Sequence, residues 1–274
     1  MARGSATASI SLIVRISFSQ MVLLSACFLL LLPALSADPV RARLKQGSGH
    51  IFLLLLDENG KTLAAGESLQ TIKGYTVSTR TTFHFRDGSI DDETTVFEQR
   101  VNLRVLSDDH LQRGPAFPHP AEVRIEAVAG RVIVHDLESG KTSSHELKIP
   151  FDLANGIITQ VLQNLPEDIA ETKVSYVLPT SKPRLGNLVI SRAGEGAYTL
   201  GGERQTAKKL EIKVDLGGIA GLIAPVIGKE PKPTYAWMAG GRVPMFIRIQ
   251  TQFYEGGPLW TIQQTAPAWP SEEK

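Results

Sequence analysis

The sequence predicts a mainly β protein, a strongly curved antiparallel sheet or incomplete β-barrel with one covering helix at about residues 152–165. Two observations carry that expectation. Apolar residues recur with period two in many short runs separated by Gly, Pro, Asn and Asp turns. Only one stretch has helical spacing, so the helical crossovers that parallel strands require are missing and the strands must be joined as antiparallel neighbours.

Tyr75 to Phe85 is the clearest strand. Tyr75, Val77, Thr79, Thr81, Phe83 and Phe85 share one face, and Ser78, Arg80, Thr82, His84 and Arg86 the other. Asp87-Gly88 is a strong turn signal, and the return strand places Phe97, Val101, Leu103 and Val105 at odd positions. Val123, Ile125 and Ala127 alternate up to Gly130, Val132 and Val134 follow, and Ser139-Gly140 turns the chain back through 141–148. Further strands are expected at Val174-Tyr176-Leu178, at Leu188-Ile190, and through Leu210, Ile212, Val214 and Leu216. The C-terminal part adds Tyr235 to Ala239, a Gly240-Gly241 turn, Val243 to Tyr254, a Gly256-Gly257 turn, and Pro258 to Gln264. The helix is expected from Leu153, Ile157, Ile158, Val161, Leu162 and Leu165, with Asp152 as its cap and Pro166 as its stop.

The N-terminus reads as an export signal. Residues 1–20 hold Arg3 and Arg15 and no acid, Met21 to Leu32 is an uncharged apolar run, and Pro33 is followed by Ala34-Leu35-Ser36. A positive region, a short apolar core and small residues at the exit describe a secretory signal, and the run is short for a bilayer span of about 20 residues. The expected organisation is a signal peptide at 1–36, an N-terminal linker at 37–49 and a single β-rich domain at 50–270. Location in the periplasm, or secretion after cleavage near Ser36, follows. The alternative is a lipoprotein anchored at Cys27, since Leu24-Ser25-Ala26-Cys27 has the look of a lipidation site.

Cleavage after Ser36 would remove Arg3, Arg15 and the only cysteine, so 29 − 2 = 27 basic residues would stand against 28 acidic ones. That balance gives no electrostatic case for nucleic acid. A chain of this size needs no disulfides to bury a core.

Chemical motifs are few. There is no H-E-x-x-H, C-x-x-C or G-x-S-x-G. Gly228-Lys229 lacks the leading glycine and the following Ser or Thr of a phosphate loop, since Ile223 and Glu230 stand there. Gly194 and Gly196 open a dinucleotide-like run that Thr199 breaks. His135 and His145 would face each other only if their turn had three residues, and two ligands fall short of a usual metal site. Asp108-Asp109-His110 and His119 form a second cluster, but the Asp108 to His110 run is expected in a strand-end turn, where Asp serves local backbone bonding, and His119 in the Gly114 to Pro120 loop. No catalytic residue, metal ligand or cofactor is therefore expected.

One segment is chemically unusual. Gly217 to Gly228 carries no charge, and Lys229 to Pro233 bounds it sharply. Its side chains Ile219, Leu222, Ile223, Val226 and Ile227 are the candidate ligand-binding residues, because apolar side chains of this size gain ~1.5–3 kcal/mol each on burial. The competing reading is a buried plug.

From Tyr235 the chain reads YAWMAGGRVPMFIRIQTQFYEGGPLWTIQQ. Its Trp237 strand, Gly240-Gly241 turn, and Pro244-opened strand with Arg248 resemble the C-terminal end of a family of exported bacterial β-sheet proteins known only as a domain of unknown function. The resemblance spans most of residues 50–265 and implies a half-barrel like those of periplasmic lipoprotein and lipid carriers. The expected function is that of a non-catalytic envelope protein binding or shielding an apolar ligand such as lipid, with peripheral membrane contact. The alternative is a structural or assembly factor for another envelope protein, and an uncharacterised enzyme comes third.

Overall fold

The structure, a computed structural model, describes residues 39–200, 203–216 and 231–265. Fourteen strands form one sheet in which every pairing is antiparallel. In chain order the first eight are β1 (Gly49–Leu56), β2 (Thr62–Lys73), β3 (Thr76–Phe85), β4 (Ile90–Gln99), β5 (Leu103–Arg113), β6 (Ala121–Glu126), β7 (Arg131–Asp136) and β8 (Thr142–Glu146). A short helix α1 (Ile158–Asn164) follows, and then β9 (Glu171–Leu178), β10 (Arg184–Leu200), β11 (Glu203–Asp215), β12 (Thr234–Ala239), β13 (Met245–Gln252) and β14 (Leu259–Thr265).

Strand order runs β8 back to β1, then β14 back to β9. The chain thus folds as two meanders joined where β1 pairs β14, with Leu53 opposite Gln264 and Leu55 opposite Ile262. The ends of the sheet, β8 and β9, do not pair, so the curved sheet is an incomplete barrel. Its concave face holds the core: Leu53, Leu55, Val77, Phe83, Phe97, Val105, Ile125, Val132, Val174, Ile190 and Ile212 are all buried there.

The helix differs from expectation. It spans seven residues rather than running from Asp152, because Gly156 sits at φ +68° and breaks helical geometry. Asp152 does not cap it. The segment 152–157 instead lies along the outer edge of β9. Leu153 makes a parallel bridge to Ser175, and the Ala154 N–H donates to the Ser175 carbonyl at 2.9 Å. The Asp152 carboxylate accepts from the Ser175 N–H at 3.0 Å. Asn155 both donates to the Val177 carbonyl (2.9 Å) and accepts from the Val177 N–H (2.8 Å). An edge that would otherwise offer free backbone groups is thereby closed.

The same segment reaches across the lumen. A Cβ at Gly156 would collide with the side chains of Thr95 on β4 and Asp108 on β5. Residues 152–157 thus connect the β9 edge with the opposite wall. The 40–46 segment adds a second tie: the Leu103 N–H donates to the Val40 carbonyl (2.9 Å), and the Leu44 N–H to Asn164 Oδ1 at the end of α1 (2.7 Å).

One expected strand splits. The run from Phe97 to Val105 divides between β4 and β5, with Arg100 to Asn102 between them and Val101 exposed. β1 and β2, in turn, carried no clean apolar alternation. β2 turns Ala64, Gly66, Ser68 and Gln70 inward, and Gly66 leaves room for the Phe83 ring.

Candidate functional site

The lumen contains a cavity of ≈ 600 Å³ lined from both meanders. One wall is aliphatic: Leu188 and Ile212 with Val214 from β10 and β11, Ile249 from β13, and Ile262 from β14. The other is polar and mostly uncharged, built from Ser68, Gln70, Thr79 and Thr81 on β2 and β3 with Gln160 and Gln163 on α1. These groups largely satisfy one another. Ser68 and Thr81 share a hydrogen bond of 2.9 Å, and Thr79 donates to Gln70 at 3.2 Å. Among the described residues, the charged lining groups are Glu93 on β4 and Lys232, which is exposed.

Rings fill the adjoining core. Phe85, Phe117, Phe253, Tyr254 and Trp260 meet with centroids 5.2–6.5 Å apart, and Phe83 joins them through Phe253 at 5.9 Å. Offset and edge-to-face contacts at such spacing stabilise beyond area burial alone. Phe117 comes from the Gly114 to Pro120 loop, which therefore folds inward at its centre.

Beside the cavity lies a group of ionisable side chains. Asp108 and His110 sit in the middle of β5, not in the strand-end turn the sequence suggested. The cause is a β-bulge. Val96 pairs Ser107 while Phe97 pairs Val105, so Leu106 has no partner and inward parity switches from odd to even positions. The register then aligns Asp108 with Thr95, His110 with Glu93 and Gln112 with Asp91. Asp109 points outward and pairs with Arg124. His119 lies outside this group, on the loop before β6.

The bonds inside the group are specific. His110 Nε2 and Asp91 Oδ2 are 3.0 Å apart, and Gln112 Nε2 donates both to Asp91 Oδ2 at 2.7 Å and to the Phe253 carbonyl at 2.9 Å. Thr95 Oγ1 donates to Asp108 Oδ1 at 2.7 Å. Burial works against the His110 imidazolium, but the Asp91 charge and hydrogen bond outweigh it, with help from Glu93 and Asp108, and raise it to about 10. Burial, reinforced by the Asp108 charge, pushes Glu93 up to about 8. Burial also lifts Asp108 to about 6 against the pull of the Thr95 hydroxyl. The Tyr176 phenol, facing them from β9, is raised chiefly by burial.

Asp91 and Glu93 did not stand out in the sequence, although alternation from Phe97 back through Thr95 places both on the inward face. His135 pairs Thr142 and His145 pairs Val132, so these two histidines do not face each other. Gly194 marks a bulge in β10, and Gly196 lies against the Trp237 indole on the outer face. Arg248 stacks on that same indole at 4.0 Å. The candidate residues Ile219, Leu222, Ile223, Val226 and Ile227 lie outside the described residues, as do residues 1–36, where an export signal is expected, and with them Cys27.

These features define a β half-barrel with an amphiphilic lumen. No family model and no curated protein matches the chain. Two solved structures of bacterial proteins of unknown function are similar. One is a β-barrel-like protein of the domain of unknown function DUF1849 from Brucella abortus, 8% identical, with a TM-score of 0.45 over 81% of this chain and 97% of that one. The other is the hypothetical lipoprotein YmcC from Escherichia coli, 8% identical, with a TM-score of 0.32 over 93% of this chain and 98% of that one. Likeness at this level carries no functional argument, which rests on the lumen itself.

Proposed function

We propose that this protein is a non-catalytic carrier or shield for a lipid-like ligand in the cell envelope, holding the apolar part of that ligand in the lumen of its half-barrel. The observation that supports this reading is the cavity, whose ≈ 600 Å³ and single aliphatic wall suit an alkyl chain. Its size falls in the range of small-molecule sites, and such sites are largely apolar with a few placed polar groups. Among the described lining residues there is no histidine, cysteine or arginine, and the Ser68, Thr79, Thr81 and Thr159 hydroxyls bond to neighbouring polar side chains, which favours holding a ligand over transforming one.

Filling the aliphatic wall tests the reading. Val214→Trp places an indole where the alkyl chain would lie. Delipidated wild-type protein is expected to bind fluorescent alkyl probes with a Kd in the micromolar range, about −8 kcal/mol. The variant should lose that binding by at least about tenfold while keeping its melting temperature. Native mass spectrometry of wild-type protein from its own envelope should also find a copurifying amphiphile. Absence of both binding and copurifying lipid would leave the partner-protein reading in its place.

The envelope location has its own measurement. The mature N-terminus is expected at Ala37, and a lipidated Cys27 would instead make the protein membrane-anchored.

A further inference from the structure

Resting on the carrier reading, we propose that the lumen selects its amphiphile by a protonated amine head, which pairs with the Glu93 carboxylate while the alkyl chain lies on the aliphatic wall. The geometry comes first. Among the described residues Glu93 is the one carboxylate that lines the cavity, and no hydrogen bond between them engages it. The other acids beside it are spoken for. Asp91 is held by His110 and Gln112, and Asp108 accepts from Thr95 and is covered by Gly156.

Charge balance gives the sign of the head group. The ionisable groups facing this end of the lumen are Asp91 and Glu93 on β4, Asp108 and His110 on β5, and Tyr176 on β9. One imidazolium faces three carboxyl groups, so this end of the lumen holds more acids than cations. A carboxylate or phosphate head placed there would add a like charge beside Asp91, Glu93 and Asp108. An ammonium supplies the missing cation and three donors to a carboxylate that has none. The raised Glu93 is consistent with this: near neutral pH the empty site holds a proton, which an arriving ammonium displaces.

Three probes with the same alkyl chain separate the possibilities: dodecylamine, dodecanol and dodecanoic acid, titrated below their aggregation limits into delipidated full-length mature protein at pH 7. The amine is expected to bind about tenfold or more tightly than the other two, the scale of one charge-assisted contact. Calorimetry in phosphate and in Tris should show net proton release with the amine and none with dodecanol. Glu93→Gln should bring the amine to within about threefold of dodecanol and abolish the proton release, and Glu93→Asp should retain part of the preference. Tighter binding of dodecanoic acid, or an amine preference that survives Glu93→Gln, overturns the proposal even if all three probes bind. Binding of none of the three overturns the proposal, and the carrier reading with it if no amphiphile copurifies.

Discussion

Asp108, buried, and Glu93 and His110, half-buried, shift in the same direction on neighbouring strands, and their sum should be visible in stability. Glu93 rises from an ordinary 4.5 to about 8, Asp108 from 3.8 to about 6, and His110 from 6.5 to about 10. In each case the folded protein holds a proton that the unfolded chain would release. Each contribution is therefore fullest below the unfolded value and is lost as pH rises through the folded one. Asp92 works the other way: the Arg80 hydrogen bond lowers it, and that stabilisation disappears as pH falls through its range. The melting temperature should accordingly peak at about pH 4–5 and decline steadily toward about pH 10. Glu93→Gln should remove the part of the decline between about pH 5 and 8, so the variant gains on the wild type as pH rises. Thermal scans across that range check this, and parallel curves for the two proteins would contradict it. Little of this cluster was legible in the sequence. Asp108 and His110 read as turn residues because parity counted from Leu103 and Val105 fails after the bulge at Leu106. Nothing in a period-two pattern announces an extra residue.

Among the elements, strands with one apolar face were legible and the segment before the helix was not. β3 was read correctly because Val77, Phe83 and Phe85 repeat at a spacing of two on a buried face. Residues 152–157 misled because their apolar spacing fits a helix, while their polar side chains serve a sheet edge. Asp152 and Asn155 stand where two helical positions would be, yet both bond to the β9 backbone. Asn155→Ala should leave the Val177 N–H and carbonyl without partners in a buried setting, at a cost of about 1–3 kcal/mol for each orphaned group. A lowered urea midpoint with an unchanged slope is the expected reading. Self-association of the variant by light scattering should accompany it, since the β9 edge would be partly reopened. Phe117 is a counterpart in the aromatic cluster. It is 3% exposed, although its loop reads as a surface connection rich in proline.

For the molecule as a whole, the two ends of the sheet are built differently, and that asymmetry determines where it should open. β8 is five polar residues long, largely exposed, and bonded only to β7. β9 is also terminal in the sheet, but residues 152–157 satisfy its outer backbone groups, and Val174 and Val177 are fully buried. Amide exchange is governed by the local opening free energy, which is lowest where few buried contacts must break. β8 amides, and then those of β7, should therefore exchange fastest among the strands, while β9 amides should exchange at rates near those of the central strands β1 and β14. A bound amphiphile should slow exchange in the strands that line the lumen, since binding to the native state alone adds about 2.7 kcal/mol at a ligand concentration of 100 Kd. It should leave β7 and β8 unchanged, because no residue of either strand lines the cavity. In Asn155→Ala the two ends should become alike, with β9 exchange rising toward that of β8. Fast exchange of β9 in the wild-type protein would mean that 152–157 does not hold the edge, and the wall carrying Tyr176 would then be too mobile to shape the lumen.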